Sequence, residues 1–501
     1  MWMNRGTCAA DGGSRTSVGM KRGAILVLLV ASLSACKVGP NYSPPQLPMP
    51  DRFAWSDPDQ DAPPLQPADW WTRFNDPTLN RLVQMASSEN YDIRKAIAVI
   101  EQDRAALGVA RSELFPDIVA LASYTHERTP SGQVSTSGYQ LGGTPYDVWI
   151  GALSMTWEID LFGRVARAIE QASGDLQAAV DDWRYSLVTV RSEVATSYIN
   201  IRVLQARIDA LEQSVAAQEQ LLRLISDQSA HGTITKSQLL QAQIDLEQAI
   251  AAVPPVQSAL ATEVASLAVM LGRTPDTMKG MLQHGGIPEP PDSVAVGIPS
   301  DLLRRRPDVR SAERSLAAAT AAIGEATADL YPQISLTGHF GFGAGEFGQL
   351  FQWASRAYSI GPTVNWDFFN ADRLRSIVNQ NEAITRAALL TYEQTVITAI
   401  GEVEAGLVSF TLAAQQRNEL EMALLRTHEI WSLAAEAWAA GVSDYQTVLT
   451  ARQSVLTLED TLAQTRGLAA TSLVDLYRAL GGGWSVDMMP RLAGDKEGDA
   501  S

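Results

Sequence analysis

The sequence predicts a mainly α-helical chain that also carries membrane-type β-strands and is built from two structural repeats. Three observations predict it. The chain is written twice, each copy holds two short segments of strict apolar/polar alternation, and each copy holds a proline-free stretch of roughly 65 residues that suits one long helix.

The repeat is visible by superposition. Residues 90–118, NYDIRKAIAVIEQDRAALGVARSELFPDI, align with 306–334, RPDVRSAERSLAAATAAIGEATADLYPQI. Asp92 meets Asp308, Arg94 meets Arg310, Gly108 meets Gly324 and Pro116 meets Pro332, a constant offset of 216. Further on Trp157 meets Trp366, Arg164 meets Arg373, Gly232 meets Gly441 and Leu271-Gly272 meets Leu480-Gly481, now at 209. The first copy therefore has extra residues between Pro116 and Trp157, which places them in the Gly/Ser/Thr-rich segment 127–146.

The elements follow in order. Residues 1–35 read as a secretory signal: Lys21 and Arg22 precede an apolar run, Ala24 to Val30, too short to span a bilayer, and Leu33-Ser34-Ala35-Cys36 closes it. The residues before Met20 carry no hydrophobic pattern, which makes Met20 the expected start. A Pro-rich extended segment, 36–76, leads into the first repeat, 77–271. Its strands are expected at about 117–127 and 147–161, and its long helical hairpin at 164–271. A Pro-rich connector, 272–299, leads into the second repeat, 300–482, with strands at about 333–342 and 357–368 and a hairpin at 373–480. Residues 483–501 form a tail.

The strands rest on a period of two. Ile334, Leu336, Phe340 and Phe342 alternate with Gln333, Ser335, Thr337 and His339, and Trp149, Leu153, Met155 and Trp157 share one face of the segment 148–161. Strands of about ten residues with aromatic ends suit a lipid-facing barrel. Four strands cannot close one, since about eight is the smallest workable number. Open edges in lipid cost several kcal/mol per unpaired group, so several copies must share a barrel; closure alone permits two or three. Past Cys36 no apolar run reaches transmembrane helix length.

Each long helix reverses at a glycine, in AHGTITKSQLLQAQ (230–243) and AAGVSDYQTVLTAR (439–452). Gly232 and Gly441 suit the left-handed C-cap position; Thr235 or Ser237, and Ser443 or Asp444, can cap the returning helices. Pro254-Pro255 is expected to kink or break the first return helix.

Composition excludes other classes. A net charge of −17 disfavours a nucleic-acid partner. Of two cysteines, Cys8 lies in the leader, so no disulfide is expected. The five histidines have no metal spacing, and there is no nucleophile motif or phosphate loop, so neither an enzyme nor a metal or cofactor site is expected. Glu402 and Glu404, two residues apart on a helix, are expected to be solvated.

With DWWTRFNDPTLNRLVQMA (69–86) and IPSDLLRRRPDVRSAERSLAAATAAIGEATADLYPQISLTGHFG (298–341), the chain resembles the TolC superfamily of outer-membrane efflux proteins. It is most similar to the lipoprotein branch serving RND-type pumps, the OprM/NodT group. The resemblance implies a homotrimer, with a twelve-stranded outer-membrane barrel continued by a long α-helical barrel across the periplasm. It implies a passive exit duct for small molecules, whose partners are a periplasmic membrane-fusion adaptor and an inner-membrane RND transporter. Leu-Ser-Ala-Cys resembles a lipobox, which implies N-acyl and S-diacylglycerol lipidation of Cys36 and, with Lys37 next, sorting to the outer membrane. The turns resemble the family's adaptor-docking tips, which places docking at Gly232, Thr233, Gly441, Val442 and Ser443. The family's periplasmic aperture falls on Asp444, Gln446, Thr447 and Thr450, where Thr447 and Thr450 replace the usual carboxylates. A type I protein-secretion duct is the alternative within the class, and a lipid-tethered coiled-coil scaffold the alternative outside it.

Overall fold

A computed structural model describes residues 37–55, 67–128, 143, 145–291 and 305–490. Cys36 and the leader, most of the loop inside 127–146, the segment 292–304 and the end of the tail lie outside the described residues. The chain divides into two compact units, one of residues 1–43, 105–174 and 317–387, the other of 44–104, 175–316 and 388–501.

Among the described residues the order is α1 (Pro77–Glu89), α2 (Tyr91–Ser112), β1 (Asp117–Arg128), β2 (Pro145–Glu158), α3 (Arg164–Ala230), α4 (Lys236–Met270), α5 (Pro307–Ala328), β3 (Gln333–Ala344), β4 (Arg356–Asn365), α6 (Ala371–Ala439) and α7 (Tyr445–Ala479). Short 3-10 turns occur at Pro67–Phe74 and Pro275–Gly280 and between β3 and β4.

Local chemistry sets the helix ends. Pro77 starts α1, and Asp76 accepts from the Thr78 and Leu79 amides at 2.7 and 3.1 Å. Asn90 Oδ1 caps α2 through the Asp92 and Ile93 amides, and Thr235 with Gln238 forms a reciprocal capping box on α4. α3 and α6, with 67 and 69 residues, are each about 100 Å long at 1.5 Å per residue.

Three expectations are corrected. Pro254 and Pro255 lie inside α4 without ending it. The carbonyls they leave without an N–H partner belong to Ile250 and Ala251, both exposed residues in the single chain. Glu402 and Glu404 are not merely solvated: Glu402 pairs with buried Arg306 at 2.6 Å, and Glu404 accepts from the Ala54 amide at 2.6 Å. Their separation along α6 lets each meet a different neighbour. Finally, α6 does contain a stretch apolar enough, by length and composition, to cross a membrane. Tyr392, Val396, Ala399 and Val403 on that helix are buried, while Ile397 and Leu412 are exposed; 39% of the stretch is buried.

In the first unit the strands form one antiparallel sheet in the order β1-β2-β3-β4. The ladder runs Ile118↔Met155↔Gly338↔Ile360 and Ala120↔Leu153↔Phe340↔Tyr358 across all four strands. α3 and α5 approach closely here, since a Cβ on Gly174 would stand 2.9 Å from Ala318 Cβ. In the second unit Trp70 stacks on Tyr477 at 5.3 Å, and Arg184 and Arg310 lie over the Trp484 ring at 4.9 and 5.5 Å. Arg306 also donates to Asp308 and to the Ala479 carbonyl, tying the end of α7 to the start of α5.

Candidate functional sites: the strand sheet and the helix turns

The sheet is unlike that of a soluble protein. Its apolar face carries Ile118, Leu153, Phe340, Tyr358 and Ile360, all large side chains left exposed among the described residues. The opposite face carries Ser154, Thr156, Ser335, Thr337 and Thr363, with Thr337 and Thr363 hydroxyls 3.1 Å apart. One face therefore suits lipid and the other water. The outer edges of β1 and β4 have no strand beside them among the described residues. Each unpaired amide and carbonyl there calls for a partner strand.

The two turns are built alike. After α3, Gly232 takes φ +73°, the Thr233 amide donates to the Gln228 carbonyl at 3.0 Å, and the Gly232 amide donates to Ser229 at 3.0 Å. After α6, Gly441 takes φ +75°, Val442 donates to Ala437 at 2.9 Å and Gly441 to Trp438 at 2.9 Å. Both are Schellman closures, and only glycine enters that left-handed position without strain. In such a closure the residue after the glycine often folds an apolar side chain back onto the helix. Val442 does not: it is 82% exposed. Trp438 and Tyr445 pack ring against ring at 4.8 Å beneath it. The second turn thus presents unspent apolar surface.

The choice of caps is now fixed. Thr235 caps α4, and Asp444 caps α7 by accepting from the Thr447 amide at 2.9 Å and its hydroxyl at 2.7 Å. Those bonds, the Thr447 hydroxyl first, hold the Asp444 carboxyl below its usual range. Gln446, Thr447 and Thr450 lie on one exposed face of α7, opposite buried Val448 and Leu449. The Thr450 hydroxyl turns back to the Gln446 carbonyl at 2.9 Å. This face is polar and uncharged, with Asp444 at its end. Thr233 also spends its hydroxyl locally, on the Gln228 carbonyl at 2.7 Å, and the Ser443 hydroxyl lies 3.5 Å from the Asp444 carbonyl.

Cys36 is outside the described residues, but the segment after it is firmly held. Arg167, 1% exposed, donates to the Val38 carbonyl at 3.1 Å, the Gly39 carbonyl at 3.3 Å and Asn41 Oδ1 at 2.9 Å. The Val38 amide donates to Phe162 at 3.1 Å, and Lys37 pairs with Glu170 at 2.9 Å. Burial works to raise the Glu170 carboxyl, but Lys37 and Arg167 outweigh it and hold it below its usual value. Gly39 lies so close to Gly324 that a Cβ on the former would stand 2.4 Å from the latter's Cα. The sequence reading missed this clamp. Gly324 was visible only as the repeat partner of Gly108, which has open space around it.

Among the described residues no group of three or more His, Cys, Asp or Glu side chains could hold a metal ion. Four of the histidines instead lie beside single carboxylates, such as His284 on Asp209 at 2.7 Å.

Comparison with known proteins adds the following. The sequence profile of the outer membrane efflux protein family matches residues 82–273 and 298–482. The chain is 29% identical to Outer membrane protein OprJ of Pseudomonas aeruginosa, covering 92% of this chain and 96% of that one. It is 30% identical to Nodulation protein T of Rhizobium leguminosarum bv. viciae, with 95% of each covered. It is 30% identical to the solvent efflux pump outer membrane protein SrpC of Pseudomonas putida, covering 93% of this chain and 99% of that one. The structure of the outer-membrane channel OprN superposes with a TM-score of 0.81 at 30% identity, covering 90% of this chain and 100% of that one. The CmeC outer membrane channel of Campylobacter jejuni, at 23% identity and a TM-score of 0.83 over 91% and 96% of the two chains, shares the fold.

Proposed function

We propose that this chain, which belongs to the outer membrane efflux protein family, works as a homotrimeric exit duct of a tripartite efflux system. The observation that carries the proposal is the four-stranded sheet, which exposes an apolar face, a polar face and two open edges. Three copies pair edge to edge into twelve strands, lipid outside and water inside. The long helices of the two repeats continue the tube through the periplasm. Transport through the duct is passive, and its energy comes from an inner-membrane RND pump that hands over its cargo with a periplasmic adaptor. No step of chemistry and no cofactor is involved.

The parts take these roles. Cys36 carries the diacylglycerol and N-acyl chains, and the clamp on residues 37–41 fixes where that anchor leaves the fold. Gly232, Thr233, Gly441, Val442 and Ser443 form the surface that meets the adaptor, with exposed Val442 as its apolar contact. Asp444, Gln446, Thr447 and Thr450 line the periplasmic aperture. The cargo is small and substantially apolar; relatives named for solvent, toluene and antibiotic efflux support that class over a secreted protein.

The test is the mass of the protein extracted from outer membranes in mild detergent, followed by conductance in planar bilayers. A trimer that conducts is expected. A monomer soluble without detergent would overturn the duct and leave the tethered scaffold.

A further inference from the structure

The apolar face of the sheet is not smooth. Across the row Ile118–Met155–Gly338–Ile360 the glycine brings no side chain of its own, and Met155 folds over it, its Cε 3.3 Å from where a Cβ would stand. With Leu153, Phe340 and Tyr358 this row lines an apolar groove of about 660 Å³. That lies within the ~300–1,000 Å³ of small-ligand sites. At its rim stands Arg356, the first residue of β4. Its guanidinium lies 4.2 Å from the Trp353 ring centroid, and one Nη donates to the Trp353 carbonyl at 2.7 Å. Among the described residues no carboxylate pairs with it. A cation is therefore held in place at one end of an apolar trough, with most of its donors unspent.

We propose that this groove seats an acyl chain of the phosphorylated glycolipid of the outer leaflet, with a glycolipid phosphate on Arg356. The inference rests on the reading above that the strands cross the outer membrane. β3 leaves α5 at Gln333 and β4 enters α6 after Asn365, so residues 345–355 form the end of the hairpin away from the helices. With periplasmic helices, that end lies at the outer surface, where Phe347, Phe351 and Trp353, all exposed, form an interfacial aromatic group. The outer leaflet there is a multiply acylated, phosphorylated glycolipid. Its phosphates match the planar fork of an arginine. A further copy of the chain does not compete for the groove, because strands add at sheet edges and leave the faces free. Each protomer thus carries one such site on its outer wall.

The test uses the full-length assembly purified in mild detergent, delipidated and titrated in native mass spectrometry. The probes are bis-phosphorylated hexa-acyl lipid A, the same lipid with its phosphates removed, and phosphatidylglycerol. The unmodified protein is expected to retain bis-phosphorylated lipid A about tenfold more strongly than either comparison lipid. Arg356→Ala removes the charge from an exposed side chain, and Gly338→Leu displaces Met155 and crowds the groove. Each is expected to lower lipid A retention about fivefold or more, whereas Val364→Leu, near the other end of β4, leaves it unchanged. Equal retention by Arg356→Ala and the unmodified protein overturns the proposal, as does equal retention of phosphatidylglycerol or of the dephosphorylated lipid. If Gly338→Leu does not assemble, Arg356→Ala decides. The same spectra give the oligomeric mass. A monomer would thus refute the duct, while a trimer without lipid selectivity would refute only the glycolipid site.

Discussion

Replacing Arg167 by alanine should release the segment that follows Cys36. The side chain is 1% exposed, and three of its hydrogen bonds go to residues 38–41. Without it, two backbone carbonyls and one amide oxygen lose their donor, and Glu170 keeps only Lys37. A buried acceptor left unpaired costs about 1–3 kcal/mol, and breaking a buried charge interaction about 3–5 kcal/mol. Water enters as the segment lifts, so the lower part of that range, about 3 kcal/mol, is the reasonable expectation for the local loss. At about 1.4 kcal/mol per factor of ten, the open population rises on the order of a hundredfold.

Trypsin reads that population directly, because it cuts after Lys37 and detaches Cys36. Where opening is fast relative to cleavage, the rate follows the open fraction. The assay compares the rate of losing residues 36–37, by intact mass, in the original protein and in Arg167→Ala. A rise of about two decades is expected with little change in the global melting temperature. Gly324→Ala should act in the same direction, since its Cβ would stand 2.6 Å from Arg167 Nε. An unchanged rate at Lys37 in both variants would refute the reasoning, for the segment would then be held by something other than this clamp.

The remaining predictions concern other parts of the chain. Tyr198 is fully buried, and burial first, with Asp76 accepting its hydroxyl, pushes its phenol up to about 12. The folded state then keeps a proton that the unfolded state, near 10, releases, so stability should fall as pH rises from about 10 through about 12. Tyr198→Phe should flatten that slope in urea midpoints measured across the range. For Asp444 the sign is opposite: its carboxyl is depressed, so its cap is intact at neutral pH and is lost as pH falls through the depressed value. Hydrogen-exchange protection at residues 445–448, taken relative to the intrinsic rate at each pH, should fall in acid, and Asp444→Ala should show that loss already at pH 7. Cys36→Ser should impair processing and outer-membrane sorting, read by mass and fractionation, while leaving single-channel conductance of refolded trimers unchanged. Lastly, Gln446, Thr447 and Thr450, proposed above to line the aperture, form an uncharged face, unlike a carboxylate ring that gathers cations. Millimolar divalent cations should leave conductance nearly unaltered; a block of half or more would show that Asp444 charges the aperture.

The parts legible in the sequence are those whose cause is local. The strands could be placed because period-two alternation, as in Ile334 to Phe342, has one common structural source; β3 runs Gln333–Ala344. The ends differ slightly, with β4 closing at Asn365 before the aromatic turn Phe368–Asn370. Gly232 and Gly441 were legible because a left-handed C-cap admits little else. The illegible parts depend on residues far apart in the chain. Nothing near Glu402 announces Arg306, and nothing near Gly324 announces Gly39. Of the kink or break expected at Pro254-Pro255, the break does not occur, for a further reason. Proline costs a helix about 3 kcal/mol per residue, but α4 has 35 residues and a capping box at its start, so the turns on either side of the prolines keep their own hydrogen bonds. Arg356 escaped attention because a single arginine at a strand end is unremarkable until Trp353 is seen to hold it.

The two kinds of surface in this chain have different consequences for assembly. α7 buries side chains such as Val455, Leu473 and Tyr477 within one protomer, so its packing is largely intramolecular, whereas α4 and α6 leave apolar side chains such as Ile244, Ile397 and Leu425 exposed. The sheet buries almost nothing, since most residues of β1 and β4 are exposed on both faces. Its ladder bonds and a few cross-strand side-chain contacts, such as Tyr124 on Trp149, hold it, and short sheets without a covered face are marginal in water. The packing around α7 can therefore form before the membrane is reached, whereas the strands gain their stability only on meeting lipid and neighbouring strands together. Insertion and trimerisation are on this argument one event, because either alone leaves edges or an apolar face unsatisfied. The lipid proposed on Cys36 would help that event. It would raise the local concentration of protomers at the membrane before any strand has paired, and convert an encounter in the periplasm into one confined to a surface.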